Sequence, residues 1–288
     1  MKRLWIGVCL MAVAAVAMAG GGPGAVRKQA EASMQVTGTV QIAADGAVSG
    51  YALDKTDQLP PGVIKLIADN VSKWRFETTE RPEASAVLRA KMSLLLTAKK
   101  LDDNSYTLRI RAAHFEDELE LPGERIKAIE MGPPRYPENA ARSNVKGTVY
   151  VVLRVGKQGT VEDAFVEQVN LTVIGSENEM TKARDMLGRS ALNAAKRWTF
   201  QVPTAGKEAN AERWTVRAPI TYCLSDTRGN ACDSKYGEWS AYIPGPRQRA
   251  PWGTESSDTN FSPDALASNQ VYDMSRRGPR LLTPLEQG

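Results

Sequence analysis

Two stretches of the chain share the same order of sequence landmarks. Residues 36–48 read VTGTVQIAADGAV, and residues 145–161 read VKGTVYVVLRVGKQGTV. Each begins Val-x-Gly-Thr-Val, continues as a predicted strand with alternating apolar and polar residues, and reaches a glycine, Gly46 or Gly159. Glycine supplies the positive φ that a tight hairpin needs, so we expect a β-hairpin in each stretch. The second strands are predicted at 48–53 and 161–169.

A predicted amphipathic helix lies downstream of each hairpin. Residues 62–76 read GVIKLIADNVSKWRF, and residues 188–200 read GRSALNAAKRWTF. Apolar residues recur at helical spacing in both, and both end in a basic turn followed by Trp-x-Phe. A third strand is expected after each helix, at 90–98 and at 214–224, with an insertion at 171–187 in the second stretch and an extra strand at 106–112 in the first.

The repeated order of strand, strand, helix, strand predicts an α+β fold. We expect two modules of this order, each a small antiparallel sheet packed by one helix. Chance is a poor explanation, because six landmarks coincide in the same order. The predicted organisation is a signal peptide at 1–19, a flexible N-terminus at 20–33, a first module at 34–115, a linker at 116–132, a second module with a C-terminal extension at 133–252, and a disordered tail at 253–288 that is rich in Ser, Asp, Asn, Gly and Pro.

The first residues have the three-part anatomy of a cleavable signal peptide. Lys2 and Arg3 are positive, an apolar stretch follows, and residues 17–19 read Ala-Met-Ala before Gly20. The alternative is an uncleaved membrane anchor through residues 4–19, although this stretch is shorter than the roughly 20 residues that span a bilayer. We therefore expect an exported protein.

Removal of the signal peptide takes Cys9 with it and leaves Cys223 and Cys232. Two cysteines in an exported protein fit one disulfide, and the loop between them is short and rich in turn formers. Two free thiols are the alternative. The spacing does not match the paired C-x-x-C motifs of structural zinc sites.

The residue inventory argues against an enzyme. His114 is the single histidine, so a Ser-His-Asp or Cys-His mechanism would have to use it. No phosphate-binding G-x-x-x-x-G-K-[ST] loop is present. The formal net charge is +4, or +2 without Lys2 and Arg3, which is too small to indicate nucleic acid. We predict no catalytic residue, no cofactor, no metal, no nucleic acid and no small-molecule substrate.

The tryptophans divide into two groups. Trp74 and Trp198 follow the two helices at equivalent positions, so we interpret them as core anchors and not as ligand-stacking platforms. The aromatic segment at 239–252 lies among prolines. It has two interpretations, a clasp over the second module or a partner surface.

The second module resembles the TonB C-terminal domain over about 134–224. Tyr136-Pro137 opens it, followed by a short Ala-rich turn and the pattern x-Gly-x-Val-x-Val. Gly159-x-Val161 resembles the hairpin of that family, and residues 191–200 resemble its helix with the closing Trp-x-Phe. The first module resembles a diverged copy without the Tyr-Pro opening.

The resemblance implies a role in protein binding. TonB proteins lie in the Gram-negative inner membrane with ExbB and ExbD, reach across the periplasm and act on outer-membrane transporters. Their C-terminal domain binds a short peptide, the TonB box, by strand addition at a sheet edge. The resemblance implies a periplasmic protein that binds a TonB-dependent transporter or another envelope protein and supports energy-coupled transport. Carried over by position, the partner contacts are Arg135, Tyr136, Val216, Arg217, Ala218, Ile220 and Tyr222.

The sequence departs from the family pattern in three respects. Pro219 in the last strand cannot donate to a ladder, which affects the register of an added strand. The energy transducers of the family keep a membrane helix, whereas residues 4–19 are predicted to be cleaved, and they have a long Pro-rich spacer that is missing here. These departures argue against coupling to ExbB and ExbD. The alternative function is an envelope scaffolding protein that keeps the fold without transducing energy.

Overall fold

The structure is a computed structural model of the 288-residue chain. The residues that it describes are 22–77, 87–100, 105–118, 121–224, 236–252, 259–268, 270–274 and 278–285. The predicted signal peptide at 1–19 lies outside these ranges. None of the helices within them combines the length and the hydropathy that a bilayer-crossing segment needs.

Four α-helices and eleven β-strands are present in the described ranges. The helices are α1 (Pro23–Gln29), α2 (Pro61–Val71), α3 (Glu138–Arg142) and α4 (Glu177–Ala195). The strands are β1 (Glu31–Ile42), β2 (Val48–Leu53), β3 (Leu88–Lys100), β4 (Tyr106–Asp117), β5 (Lys127–Glu130), β6 (Gly147–Gly156), β7 (Val161–Leu171), β8 (Thr199–Gln201), β9 (Arg213–Tyr222), β10 (Ser240–Tyr242) and β11 (Tyr272–Asp273).

The first sheet is antiparallel, with β1 at its centre. β2 and β3 flank β1, β4 follows β3, and the short β10 pairs with the first residues of β1. Helix α2 buries Val63, Ile67 and Val71 against one face of this sheet. Trp74 follows the helix and is buried against Phe115 of β4, with the ring centroids 5.6 Å apart. Trp74 is therefore a core residue of the first module.

The second sheet is also antiparallel, in the order β11, β9, β6 and β7. Helix α4 packs across β6 and β7 and buries Leu187 and Ala191, while Trp198 is buried just beyond its end. The predicted α+β class is confirmed. In both sheets the first strand of the hairpin also pairs with the next long strand after the helix, β3 or β9. That the first module is a diverged copy of the second stays a prediction.

The two hairpin glycines occupy equivalent positions. Gly46 has a φ of +80° and Gly159 a φ of +74°. This conformation is strained for residues that have a Cβ atom. The carbonyl oxygen of each accepts the amide of the phenylalanine in Trp-x-Phe, Phe76 or Phe200, at 2.8 Å. A Cβ on either glycine would overlap the carbonyl oxygen of the same phenylalanine. Glycine is therefore needed both for the turn and for the close approach of the two chain segments.

Three segments differ from the sequence prediction. The described part of the N-terminus, predicted to be flexible, forms α1, and Val26 is buried in the core of the second module. The predicted linker includes β5, which pairs with β8. The predicted insertion at 171–187 is largely the first half of α4. A capping box begins that helix, because Ser176 Oγ accepts the Glu179 amide and the Glu179 carboxylate accepts the Ser176 amide at 2.7 Å.

The C-terminal residues pack on both modules where the structure describes them. We call the described residues from 236 to 285 the C-terminal clasp. β10 pairs with β1 of the first sheet, whereas the next residue, Ile243, exchanges two backbone hydrogen bonds with Leu171 of the second. β11 joins the second sheet, and Leu281 and Leu285 return to the core of the first. This differs from the disordered tail that composition predicted, because a few widely spaced side chains and long-range hydrogen bonds hold the segment in place.

Candidate functional site

Strand β9 was predicted to be the exposed edge that accepts a partner. On its inner side it forms a continuous antiparallel ladder with β6. Its outer side carries β11, with Tyr272 opposite Arg217 and Asp273 opposite Val216. The edge that the sequence predicted to be open is thus occupied by a strand of the same chain.

The contact extends beyond the two paired residues. The Met274 amide donates to the Thr215 carbonyl oxygen at 2.9 Å. At the other end, the hydroxyls of Thr221 and Ser268 lie 2.8 Å apart, in the antiparallel register that β11 sets. The clasp therefore contacts the outer edge of β9 at residues 215–217 and again at Thr221.

Backbone groups point alternately to the two sides of an antiparallel strand. The Thr215 carbonyl points outward, to Met274, and the ladder with β6 has no bulge in β9. The outward-facing residues are consequently Thr215, Arg217, Pro219 and Thr221. Pro219 lacks an N–H, so it costs no bond to β6 and removes one donor from the outer edge.

The predicted contact side chains of β9 point away from its edge. Val216, Ala218, Ile220 and Tyr222 are buried in the core beneath α4. Arg217 is also buried, on the opposite face of the sheet. A partner that adds to this strand therefore contacts its backbone and not these side chains.

The Tyr-Pro segment is fastened to α4 and to the end of β9. The Tyr136 ring meets the Tyr222 ring edge to face at 5.5 Å, and its hydroxyl donates to the Val145 carbonyl. Ser190 Oγ donates to the Arg135 carbonyl oxygen at 2.5 Å, while the Arg135 side chain is exposed. Burial raises the pKa of both tyrosines, that of Tyr222 to about 12. The structure thus brings Arg135 and Tyr136 to the C-terminal end of β9.

A buried ion pair joins β7, β9 and the clasp. The Glu167 carboxylate accepts Arg217 Nε at 2.5 Å and Arg217 Nη2 at 3.0 Å, and it also meets Arg247 at 3.0 Å. Both guanidinium groups lie over the Phe261 ring, at 4.8 Å and 5.6 Å. Burial lowers the pKa of Arg217, while Glu167 opposes that shift. Sequence reasoning missed Glu167 and Arg247, because this pairing is visible only in the tertiary structure.

His114 lies next to this ion pair and not in a catalytic arrangement. Its ring contacts Phe261 at 5.8 Å and Tyr272 at 5.3 Å, and its buried Nε2 has no hydrogen-bond partner among the residues that the structure describes. Burial, and secondarily the charge of Arg217, lowers the pKa of His114 to about 4. The imidazole is therefore neutral in the folded protein near neutral pH and packs as an aromatic side chain.

This shift predicts a pH-dependent contribution to stability. The unfolded chain protonates His114 near pH 6.5, whereas the folded chain does so near pH 4, so the folded state loses stability as the pH falls between these values. We expect wild type to lose about 2 kcal/mol more than His114→Phe between pH 7 and pH 5. Urea denaturation of both proteins at the two pH values measures this difference. Parallel losses in the two proteins would contradict a buried neutral histidine.

The remaining site predictions rest partly on residues that the structure does not describe. Cys223 is disulfide-bonded, whereas Cys232 lies outside the described residues, so the pairing of the two stays a prediction. In the described ranges, no three His, Cys, Asp or Glu side chains converge on a possible metal position. The absence of an enzymatic activity and of a cofactor also stays a prediction.

The fold and the edge strand define a class of domain: an antiparallel sheet backed by one long helix, whose last long strand pairs with an extended segment. Residues 132–224 match the family model described as Gram-negative bacterial TonB protein C-terminal. This part of the chain, about a third of its length, is therefore similar to the TonB C-terminal domain.

Two curated relatives are similar to the same part of the chain. Each is a protein named Protein TonB, from Xanthomonas campestris pv. campestris, strains B100 and ATCC 33913, and each is 32% identical over 100 residues. The match covers 35% of this chain and 39% of each relative, so the chain spans about two fifths of their length. No solved structure matches the chain significantly.

Proposed function

We propose that this is a periplasmic protein that binds an outer-membrane TonB-dependent transporter through strand addition at the outer edge of β9, in support of energy-coupled transport. The observation that carries the proposal is β11: an extended segment already pairs with this edge in antiparallel register. An edge that pairs with one strand offers the same backbone donors and acceptors to another. A partner strand would take the place of β11.

The chemistry of the edge suits recognition of an extended peptide. Thr215, Arg217 and Thr221 direct backbone groups outward, and the buried side chains of β9 take no part. Recognition through the backbone tolerates many side chains in the added strand, so its specificity must come from neighbouring surfaces. Arg135 and Tyr136 are the nearest candidates, because Tyr136 contacts the last residue of β9.

An NMR titration tests this proposal. The full-length mature protein is titrated with a TonB-box peptide, and backbone amides are followed. We expect the largest shifts at residues 213–222 and 270–274, because the added strand replaces β11. Amides of β2, the outer strand of the first sheet, serve as the control for indiscriminate strand addition. Unchanged amide chemical shifts at 213–222 at saturating peptide would contradict the proposal.

A scaffolding role is the second candidate, and the occupied edge favours it. If β11 stays in place permanently, the domain keeps its fold without accepting a transporter. In that case the titration leaves the β11 amides unchanged while other envelope proteins still bind. The mature N-terminus bears on coupling to ExbB and ExbD: a start at Gly20 supports a free periplasmic protein, and an intact Met1 supports an inner-membrane anchor through 4–19.

A further inference from the structure

An open groove of about 690 Å³ lies between the Tyr-Pro segment and helix α4. Its half-buried lining is largely apolar, and its exposed lining is basic. The half-buried part includes Tyr136, Pro137 and Met186, and the exposed part includes Arg135, Arg189 and Arg197.

The guanidinium groups of the three arginines are available to bind a partner. Among the residues that the structure describes, none of their guanidinium groups forms an ion pair or a side-chain hydrogen bond. The acidic residue in the lining, Glu138, lies 3.5 Å from Arg142, outside the groove. Three uncompensated positive charges therefore line one concave surface.

Two hydrogen bonds from side chains to backbone carbonyls hold this arrangement in place. Arg189 and Asn193 are one helical turn apart on α4, and Arg197 follows just past the end of the helix. Across the groove, the backbone of Arg135 is held by the hydrogen bond from Ser190. The indole of Trp198 donates to the Gly132 carbonyl at 2.8 Å and fixes the start of the same segment. The basic lining is thus carried by rigid elements on both sides.

We infer that this groove binds an acidic peptide segment in extended form, with its carboxylates on the arginines and its apolar side chains on the half-buried lining. Guanidinium groups pair with carboxylates in a planar, two-point geometry. A single phosphate would be held by charges that meet at one point, whereas these charges are spread along a groove with an apolar lining. Charge complementarity of this kind raises association rates and selects among partners.

The inference extends the proposed function, because one partner chain can reach both surfaces. The groove lining includes Tyr136, whose ring contacts Tyr222 at the end of β9. A partner strand on β9 that continues past this end passes the groove. Acidic residues flanking the added strand would then provide the specificity that backbone pairing lacks.

The test uses the full-length protein and a fluorescein-labelled peptide of alternating glutamate and valine, followed by fluorescence anisotropy. Arg189→Glu combined with Arg197→Glu is expected to weaken binding by about tenfold or more. Lys182→Glu is the matched control, since Lys182 is exposed on α4 and outside the groove lining, and it should change affinity less than about twofold. A peptide with glutamine in place of glutamate should bind weakly to every variant. Added salt should lower the affinity of the wild-type protein for the glutamate peptide.

The inference would be overturned by equal binding of the glutamate and glutamine peptides, by equal losses in the groove and control variants, or by binding of phosphatidylglycerol vesicles through these arginines without binding of the peptide. Circular dichroism and thermal unfolding establish that the variants are folded. The TonB-box titration is run on the same double variant. Normal shifts at 213–222 with no binding of the acidic peptide to wild type would reject the groove and leave the proposed function intact.

Discussion

Replacement of Glu167 by alanine is expected to lower the free energy of unfolding by about 3–5 kcal/mol, because it leaves the buried charge of Arg217 without its partner. The Arg217 side chain is 8% exposed, so water cannot take over the lost hydrogen bonds. Arg247 loses the same carboxylate, which also loosens the clasp. Urea denaturation at neutral pH, with the slope compared between the proteins, measures the change.

A second ion pair between the same two strands provides a matched control. Glu162 of β7 pairs with Arg213 of β9 at 2.6 Å, but both side chains are more than a third exposed. Glu162→Ala is therefore expected to lower the free energy of unfolding far less than Glu167→Ala, because water screens the exposed pair. Replacing both buried partners, as Glu167→Leu with Arg217→Met, should recover most of the loss. Equal effects of Glu167→Ala and Glu162→Ala would show that water reaches the Glu167 pair.

Release of β11 is expected to raise the affinity for a TonB-box peptide by about tenfold or more, because the peptide no longer competes with the clasp for the edge of β9. The variant combines Tyr272→Ala, which removes a buried side chain, with Met274→Pro, which removes the donor to the Thr215 carbonyl. Each lost contact weakens the pairing of β11 by about 1 kcal/mol or more. Isothermal titration calorimetry of wild type and variant measures the change.

The control for this variant is Tyr106→Ala. It makes the same change at a tyrosine that is 60% exposed and lies in β4 of the first sheet, whereas β9 is in the second. It should leave peptide affinity unchanged. A released clasp also predicts faster hydrogen exchange at the outward-facing amides of Arg217 and Thr221. An affinity equal to wild type, with faster exchange at these amides, would mean that the peptide binds elsewhere.

The elements that the sequence predicted well are those with a local signal. The hairpins at Gly46 and Gly159 follow from strand alternation and from the need for positive φ. Helix α2 follows from helical spacing of its apolar residues. The start of α4 had a signal that was overlooked, since Ser176 and Glu179 form a capping box that is visible in the sequence.

A clasp was one of the two interpretations of the segment at 239–252, but the packing of the residues after it could not be predicted, because their stabilising contacts are not local. Asn260 and Asp264 are both buried. Asn260 donates to the Leu281 and Thr283 carbonyls, and Asp264 accepts hydrogen bonds from Tyr242 and Asn170. In a segment without periodic apolar residues, such polar side chains are predicted to be exposed to solvent. The same reason explains why β9 was interpreted as an open edge: nothing in the two residues of β11 indicates which strand they join.

The two ends of the described chain are exchanged between the modules. Val26 near the N-terminus lies in the core of the second module, and Leu285 near the C-terminus lies in the core of the first. Each hydrophobic core therefore includes a side chain from the end of the chain that belongs to the other module. A break in the connection at 116–132 does not yield two autonomous domains, since each fragment carries a piece that the other needs. We therefore expect the two halves, produced as separate fragments, to be more stable together than either is alone.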